Sequence, residues 1–254
     1  DNGKDDMVFG TASDNIYLLY DDGSIADGFP VYIGEKIKRG VALADFNDNG
    51  KDDMVFGTAS DNIYLLYDDG SIADGFPYET NGNINSDPTI LDADGTLLII
   101  AGSNDDYLYA INENGSLAFS FEAEANIETS PAFLDYDNSC YIFFGDNNGM
   151  LYGIDYYGDI LPPFPMDIGS AIIGSVIFSD LDLDSMPELV FGTESGDMYA
   201  LHLDGSLYNQ MPIPYAFSYY SAPLVYDLDG DLDLEIIAGT SLSINVFDIK
   251  QEGN

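Results

Sequence analysis

Cysteine, tryptophan and positive charge are almost missing from this chain. Its single cysteine, Cys140, rules out an intrachain disulfide. Cysteine poverty does not exclude secretion, because metal loops can staple an extracellular protein instead. Six Lys and Arg stand against 46 Asp and Glu, a formal net charge of −40. Nucleic acid is excluded as a partner, since polyphosphate would be repelled, and anionic membrane surfaces are disfavoured for the same reason. No apolar run approaches the ~20 residues of a membrane span, so no membrane insertion is expected. No signal peptide is visible, and the chain opens in mid-repeat on Asp1-Asn2-Gly3, so any targeting segment lies outside these residues. There is one histidine, His202, on a strand segment with no evident companion. Helical periodicity is absent over any useful length.

What the chain does have is carboxylates in a fixed pattern. Asp45-Phe46-Asn47-Asp48-Asn49-Gly50-Lys51-Asp52-Asp53 places side-chain oxygens at positions 1, 3, 5 and 9, with glycine at 6. Alternate side chains of such a loop point inward, position 7 offers a backbone carbonyl, and glycine allows the bend. The pattern returns at Asp180, Asp182, Asp184 and Glu188, with Met186 at position 7. It returns again at Asp227, Asp229, Asp231 and Glu235, with Asp233 at position 7. Each copy lies 11 residues before a Phe-Gly or Ala-Gly pair. Oxygen-only loops of this kind suit Ca²⁺ better than Mg²⁺, which prefers compact octahedral sites and keeps its waters. About three calcium sites are expected, in a structural role, because every ligand is spent on caging the ion. The competing reading is a polar hairpin rich in Asp and Asn, because turns favour them. Three loops cannot absorb 46 acids, so the remaining charge reads as a surface suited to saline or divalent-rich water.

Internal repeats set the architecture. Residues 1–30 and 48–77 are identical, which suggests a recent duplication or an engineered repeat array. The glycine of the Phe/Ala-Gly pair recurs at Gly10, Gly57, Gly102, Gly145, Gly192 and Gly239, spaced by 47, 45, 43, 47 and 47 residues. Eight residues after the Phe or Ala comes Tyr17, Tyr64, Tyr109, Tyr152, Tyr199 and, in the last copy, Val246. A turn signal follows, and then Phe-Pro or Met-Pro in four copies. Within the second unit, strands are expected at Gly40–Ala44, Asp53–Thr58, Asn62–Tyr67 and near Phe76–Tyr78. Four short strands per unit of this length predict an all-β fold, a β-propeller of four-stranded antiparallel blades. The units run approximately 1–36, 37–82, 83–126, 127–170, 171–217 and 218–254, within one domain spanning 1–254. Six blades are favoured, with five or seven left open, because the first unit lacks its first strand and the last its fourth.

The third and fourth units test the loop assignment. Asp92 and Asp135 sit only nine residues before Ala101 and Phe144, and position 9 has lost its carboxylate. Asp92-Ala93-Asp94-Gly95 and Asp135-Tyr136-Asp137-Asn138 therefore read as plain hairpin turns without metal.

The Asp-x-Asp/Asn-x-Asp/Asn-Gly-x-x-Asp/Glu loops and the Phe-Gly-Thr strand ends resemble the FG-GAP / VCBS-type calcium-binding propeller repeats, the kind also found in integrin α-subunit heads. The resemblance covers essentially the whole chain. Ser185 and Leu232 depart from it by standing where the family has glycine. It implies calcium, an extracellular or cell-surface setting, and adhesion or ligand binding, without fixing the ligand.

Two further groups carry the binding expectation. The connection from the fourth strand of one unit to the first of the next is expected on the side opposite the acidic loops. One such connection holds Lys36, Lys38 and Arg39, half of all the basic residues. Another holds Tyr215, Phe217, Tyr219 and Tyr220. The plainer alternatives are relief of acid crowding and packing. Packing is also the expected role of the repeated tyrosines and of Cys140. The function expected is a non-catalytic binding or adhesion module for a glycan or extracellular protein, within a larger polypeptide. The alternatives are a propeller polysaccharide lyase or hydrolase and a purely structural repeat array. One histidine and no repeat-breaking constellation of acid, base and nucleophile argue against the enzyme.

Overall fold

In a computed structural model, residues 4–93, 95–137, 139–231 and 233–249 are described. Among them there is no α-helix, and no helix long and apolar enough to cross a membrane. The strands form six antiparallel sheets, one per repeat, and the fold is a multi-blade β-propeller. The chain divides into two compact units, Asp1–Ser130 and Pro131–Asn254, with three sheets in each.

The first unit begins with a three-stranded sheet of β1 (Met7–Gly10), β2 (Asn15–Leu19) and β3 (Val31–Tyr32). The second sheet is complete, with β4 (Ala42–Ala44), β5 (Asp53–Gly57), β6 (Asn62–Leu66) and β7 (Tyr78–Glu79). The third contains β8 (Thr89–Ala93), β9 (Thr96–Gly102), β10 (Tyr107–Asn112) and β11 (Leu117–Glu122). In the second unit, the fourth sheet is β12 (Ala132–Tyr136), β13 (Ser139–Gly145), β14 (Met150–Asp155) and β15 (Met166–Asp167). The fifth is β16 (Ile177–Ser179), β17 (Glu188–Gly192), β18 (Asp197–Leu201) and β19 (Ile213–Pro214). The sixth has three strands, β20 (Leu224–Tyr226), β21 (Leu234–Gly239) and β22 (Ile244–Ile249). Strand counts of three, four fours and three match the sequence expectation, and the four strands expected in the second unit lie within one or two residues of their observed places.

Period-two alternation explains why adjacent sheets pack. Side chains alternate across a strand, and in β5 and β6 both faces are apolar. Val55, Ile63 and Leu65 join Ile99, Ala101, Tyr109 and Ile111 of the third sheet in one core cluster. Met54, Phe56, Tyr64 and Leu66 point the other way and meet Ile16 of the first sheet and Ile37. The second unit repeats the arrangement, with Phe143 and Leu151 packed with Leu189, Phe191 and Leu201.

The recurring glycine makes room for a side chain of the connection that follows its own sheet. A Cβ on Gly57 would lie 2.1 Å from Cγ2 of Ile84, and Gly10, Gly102 and Gly145 stand likewise against Ile37, Ile127 and Ile172. The recurring tyrosines stack on the recurring phenylalanines, with centroids 5.2 Å apart for Phe9–Tyr17, 5.3 Å for Phe56–Tyr64, 5.0 Å for Phe144–Tyr152 and 5.3 Å for Phe191–Tyr199. Where Ala101 replaces phenylalanine, Tyr109 instead meets Tyr78 and Tyr107. The expectation that Val246 continues this series is corrected by the register. Gly57 pairs with Ile63, but Gly239 pairs with Ile244, so the last turn is one residue shorter. Asn245 therefore faces Ala238 as Tyr64 faces Phe56.

The two short connections are tight hairpins. Ala93 pairs with Thr96 and Tyr136 with Ser139, and the Gly95 N–H donates to Asp92 Oδ1 at 2.7 Å. Asp94 and Asn138 of those turns lie outside the described residues.

Candidate functional site: three acidic loops and the opposite connections

Each acidic loop joins the first strand of its sheet to the second, and its side chains organise its own backbone. In the 45–53 loop, Asn49 N–H donates to Asp45 Oδ1 at 3.0 Å and Gly50 N–H to Asp45 Oδ2 at 2.7 Å. Lys51 N–H donates to Asn49 Oδ1 at 2.9 Å. The 180–188 loop repeats the set: Asp184 N–H and Ser185 N–H to Asp180, both at 3.0 Å, and Met186 N–H to Asp184 Oδ1 at 2.7 Å. Positions 4 and 6 turn left-handed, at φ 56° for Asp48 and 83° for Gly50, 62° for Leu183 and 73° for Ser185. Ser185 thus keeps the bend that glycine makes in the earlier loop. In the 227–235 loop a glycine, Gly230, takes position 4 at φ 80°, and Asp233 N–H donates to Asp231 Oδ1 at 3.0 Å. Leu232, the residue at that loop's position 6, lies outside the described residues.

Position 9 anchors every loop from beneath. Asp53 and Glu188 are fully buried and Glu235 nearly so. Each accepts the N–H of position 2: Phe46 at 3.0 Å, Leu181 at 2.7 Å and Leu228 at 2.6 Å. Burial pushes the Asp53 carboxyl above the usual aspartate range, against the downward pull of the Phe46 and Asp68 N–H donors. Burial raises Glu188 likewise, opposed by the Leu181 N–H.

The loops gather carboxylates closely enough to share one ion. Ligand atoms of Asp180, Asp182 and Asp184 lie within 4.8 Å of one another, and so do those of Asp227, Asp229 and Glu235. The 45–53 loop substitutes two asparagines, Asn47 and Asn49, for acids, and Asn47 Nδ2 lies 3.4 Å from Asp53 Oδ1. Lys51, expected only as a carbonyl donor, also forms an ion pair through its side chain with Asp68. That contact and the Asn49 amide hold Asp68 below the usual range. The donor set is hard oxygen throughout these three groups, which fits a hard divalent cation.

His202 corrects the expectation that it stands alone. Its Nδ1 lies 3.0 Å from Glu188 Oε1, and Asp182, Glu188 and His202 form a further group with ligand atoms within 4.8 Å. The pairing comes from the ladder register, which sets the residue after the third strand opposite position 9 and is not readable from sequence spacing alone.

The connections lie at the other end of each sheet. Their N–H groups donate to the turns between the second and third strands: Thr80 to Asp61 at 2.8 Å, Ile33 to Asp14 at 2.8 Å and Tyr215 to Gly196 at 2.7 Å. Lys36, Lys38 and Arg39 are all exposed there, with Arg39 3.9 Å from Glu128. Their neighbour Glu35 reaches the next sheet and accepts from Thr58 Oγ1 at 2.6 Å, Asn62 Nδ2 at 2.8 Å and Tyr64 OH at 3.2 Å.

The aromatic group divides. Phe217 and Tyr220 are exposed, and the Tyr215 hydroxyl lies 3.1 Å from Ser243 Oγ. Tyr219 is wholly buried in the core between the fifth and sixth sheets. The expectation of a ligand role for Tyr219 is therefore corrected: it holds beside Gly192 the place that isoleucine holds beside Gly10, Gly57, Gly102 and Gly145. Cys140 pairs with Asp135 across the fourth sheet, and burial pushes its thiol up to about 12. Raised this way, the thiol lacks the thiolate character that reactive cysteines have.

No family model matches the chain, and no curated protein matches it in sequence. Solved structures do match in fold. The chain is similar to BamB from Moraxella catarrhalis at TM-score 0.69 and 16% identity, covering 97% of this chain and 68% of that one. It is similar to Saccharomyces cerevisiae Sqt1 at TM-score 0.71 and 12% identity, covering 96% and 68%. BBS1N, in complex with ARL6DN, aligns at TM-score 0.64 and 15% identity, covering 98% and 76%.

Proposed function

We propose that this chain is a calcium-stabilised β-propeller of the FG-GAP / VCBS kind, displayed outside the cell as a non-catalytic module that binds a protein. The observation carrying the calcium reading is the convergence of Asp180, Asp182 and Asp184, and of Asp227, Asp229 and Glu235, each within 4.8 Å. Like charges so close repel, and a bound divalent cation reverses that cost by binding only the folded loop. The carboxylates of Asp45, Asp53, Glu188 and the others named above would supply the ligands. The binding reading draws on the connections opposite the loops within each unit, where Lys36, Lys38 and Arg39 are exposed in the first and Phe217 and Tyr220 in the second. A chain of this fold, BBS1N, was solved with a protein partner, ARL6DN.

Thermal unfolding of the chelator-treated chain, followed across Ca²⁺ concentrations, tests the first part. A midpoint that climbs with Ca²⁺ and barely responds to matched Mg²⁺ is the expected result. A midpoint indifferent to Ca²⁺ overturns it, and the loops are then turns on a salt-adapted surface. For the second part, arrays of extracellular proteins and of glycans are probed in calcium. Binding to proteins that is lost on reversing Lys36, Lys38 and Arg39 to glutamate supports the assigned face. Binding to glycans alone overturns the protein reading.

A further inference from the structure

We infer that the 180–188 loop differs from the other two in holding a second, overlapping donor set, which takes a borderline first-row cation such as Zn²⁺ or Co²⁺ through His202 Nδ1, Glu188 Oε1 and Asp182. The inference rests on the reading that these loops hold cations, and it adds which cation each one selects. Calcium is bound almost wholly by oxygen, whereas imidazole nitrogen suits zinc and its neighbours copper, nickel and iron. Of the three loops, only this one has a nitrogen donor at hand. Ladder register explains why. Leu189 pairs with Leu201, so Glu188 faces His202 across the two strands; Met54 pairs with Leu66, so Asp53 faces Tyr67; and Glu235 pairs with Asp248. Residues directly opposite in an antiparallel pair hold their Cβ atoms ~5 Å apart, close enough to share one ion.

The geometry is nearly closed. Zinc sits ~2.1 Å from nitrogen and carboxylate oxygen, which requires donors no more than about 4 Å apart. Nδ1 and Oε1 are already 3.0 Å apart, and all three donors lie within 4.8 Å. Glu188 cannot swing away, because its other oxygen accepts the Leu181 N–H at 2.7 Å and the residue is fully buried. His202 and Asp182 are the members nearer solvent, the histidine about a third exposed and Asp182 at the surface. Asp182 also belongs to the all-oxygen group with Asp180 and Asp184. One loop therefore offers two overlapping donor sets, and the imidazole biases it toward the softer ion.

The test is titration of the full chain, freed of metal by chelator, with Co²⁺ and Zn²⁺ in excess Ca²⁺, which blocks the oxygen-only loops. Co²⁺ reports its own coordination through visible ligand-field absorption, and calorimetry gives the stoichiometry for Zn²⁺. The expected result is one equivalent of tight Co²⁺ or Zn²⁺ per chain. His202→Tyr, which installs the residue of the 45–53 sheet, should weaken that binding ~10-fold or more, as loss of a ligand or its support does. The calcium-dependent rise in unfolding midpoint should survive in the variant. His202→Gln serves as a second variant should the tyrosine disturb packing. Equal Zn²⁺ affinity in wild type and both variants, or no binding in excess Ca²⁺, overturns the inference. A midpoint indifferent to calcium together with His202-dependent zinc overturns the calcium reading and leaves this one standing.

Discussion

Tyr219 sits on Gly192 so closely that a Cβ on the glycine would lie 2.4 Å from the tyrosine's own Cβ. Four other sheet junctions put isoleucine in that place, and a tyrosine is much larger. The neighbouring sheet compensates, because Ala238 and Asn245 stand where the second sheet has the bulky Phe56 and Tyr64. Truncating Tyr219 removes a buried aromatic from the core. Tyr219→Ala should cost about 3–5 kcal/mol of unfolding free energy. Tyr220→Ala, one residue on and exposed, should change it by no more than about 0.5 kcal/mol. Urea unfolding of both variants checks this, and comparable losses would show that Tyr219 is not a core residue.

Ser185 holds a left-handed backbone, φ 73°, at the position where Gly50 does the same with φ 83°. A side chain in that region costs ~1 kcal/mol that glycine does not incur. Both residues donate their N–H to the first aspartate of the loop, at 3.0 Å and 2.7 Å, so glycine would keep the turn. Ser185→Gly should therefore raise stability by about 0.5–1 kcal/mol in chelator. A lower denaturation midpoint would mean that the loop, not the residue, sets that conformation.

Tyr64 gives a pH dependence on the alkaline side. Burial, with the negative charge of Glu35 adding to it, raises its phenol from the ordinary value of 10.0 to about 12. A raised acid keeps its proton in the folded state while the unfolded chain ionises, so stability is full below pH ~10 and falls as pH climbs toward 12. The loss attributable to this one group is roughly 2–3 kcal/mol. Burial raises Tyr109 in the same direction. Urea unfolding at pH 9 and 11.5 should show a smaller drop for Tyr64→Phe than for wild type. An identical drop would remove Tyr64 from the account.

The Asp-x-Asn-x-Asn-Gly loop and the Phe-Gly spacing made the sheets and the acidic loops legible in the sequence, because both recur at a fixed offset and depend on local chemistry. What was not legible depends on cross-strand register. His202 read as solitary because its partner Glu188 is 14 residues away, and only the antiparallel ladder brings the two together. Tyr219 read as part of a surface aromatic run because its burial depends on Gly192 in another sheet. Val246 stands at the sequence position of the tyrosine series but not at its place in the sheet, because a one-residue shortening of the last turn shifts the register, and shifting register exchanges the two faces of a strand.

Residues 1–30 and 48–77 are identical, yet they are not equally buried. β5 is wholly buried, whereas β1, the same residues, is exposed or half-buried along its length. Met54 is 1% exposed and Met7 61%. The difference comes from packing, not propensity. Met54, Phe56, Tyr64 and Leu66 meet Ile16 and Ile37 from the first sheet side, while among the described residues of its unit no sheet covers Met7 in the same way. The same mutation in the same local sequence should then have two outcomes. Met54→Ala leaves a cavity and should cost about 2–5 kcal/mol. Met7→Ala should cost about 0.5 kcal/mol or less. Equal costs would mean that Met7 is covered in solution, by a second copy of the chain or by another part of the protein. Repeating the Met7→Ala measurement across protein concentrations separates those two, because only covering by a second copy depends on concentration.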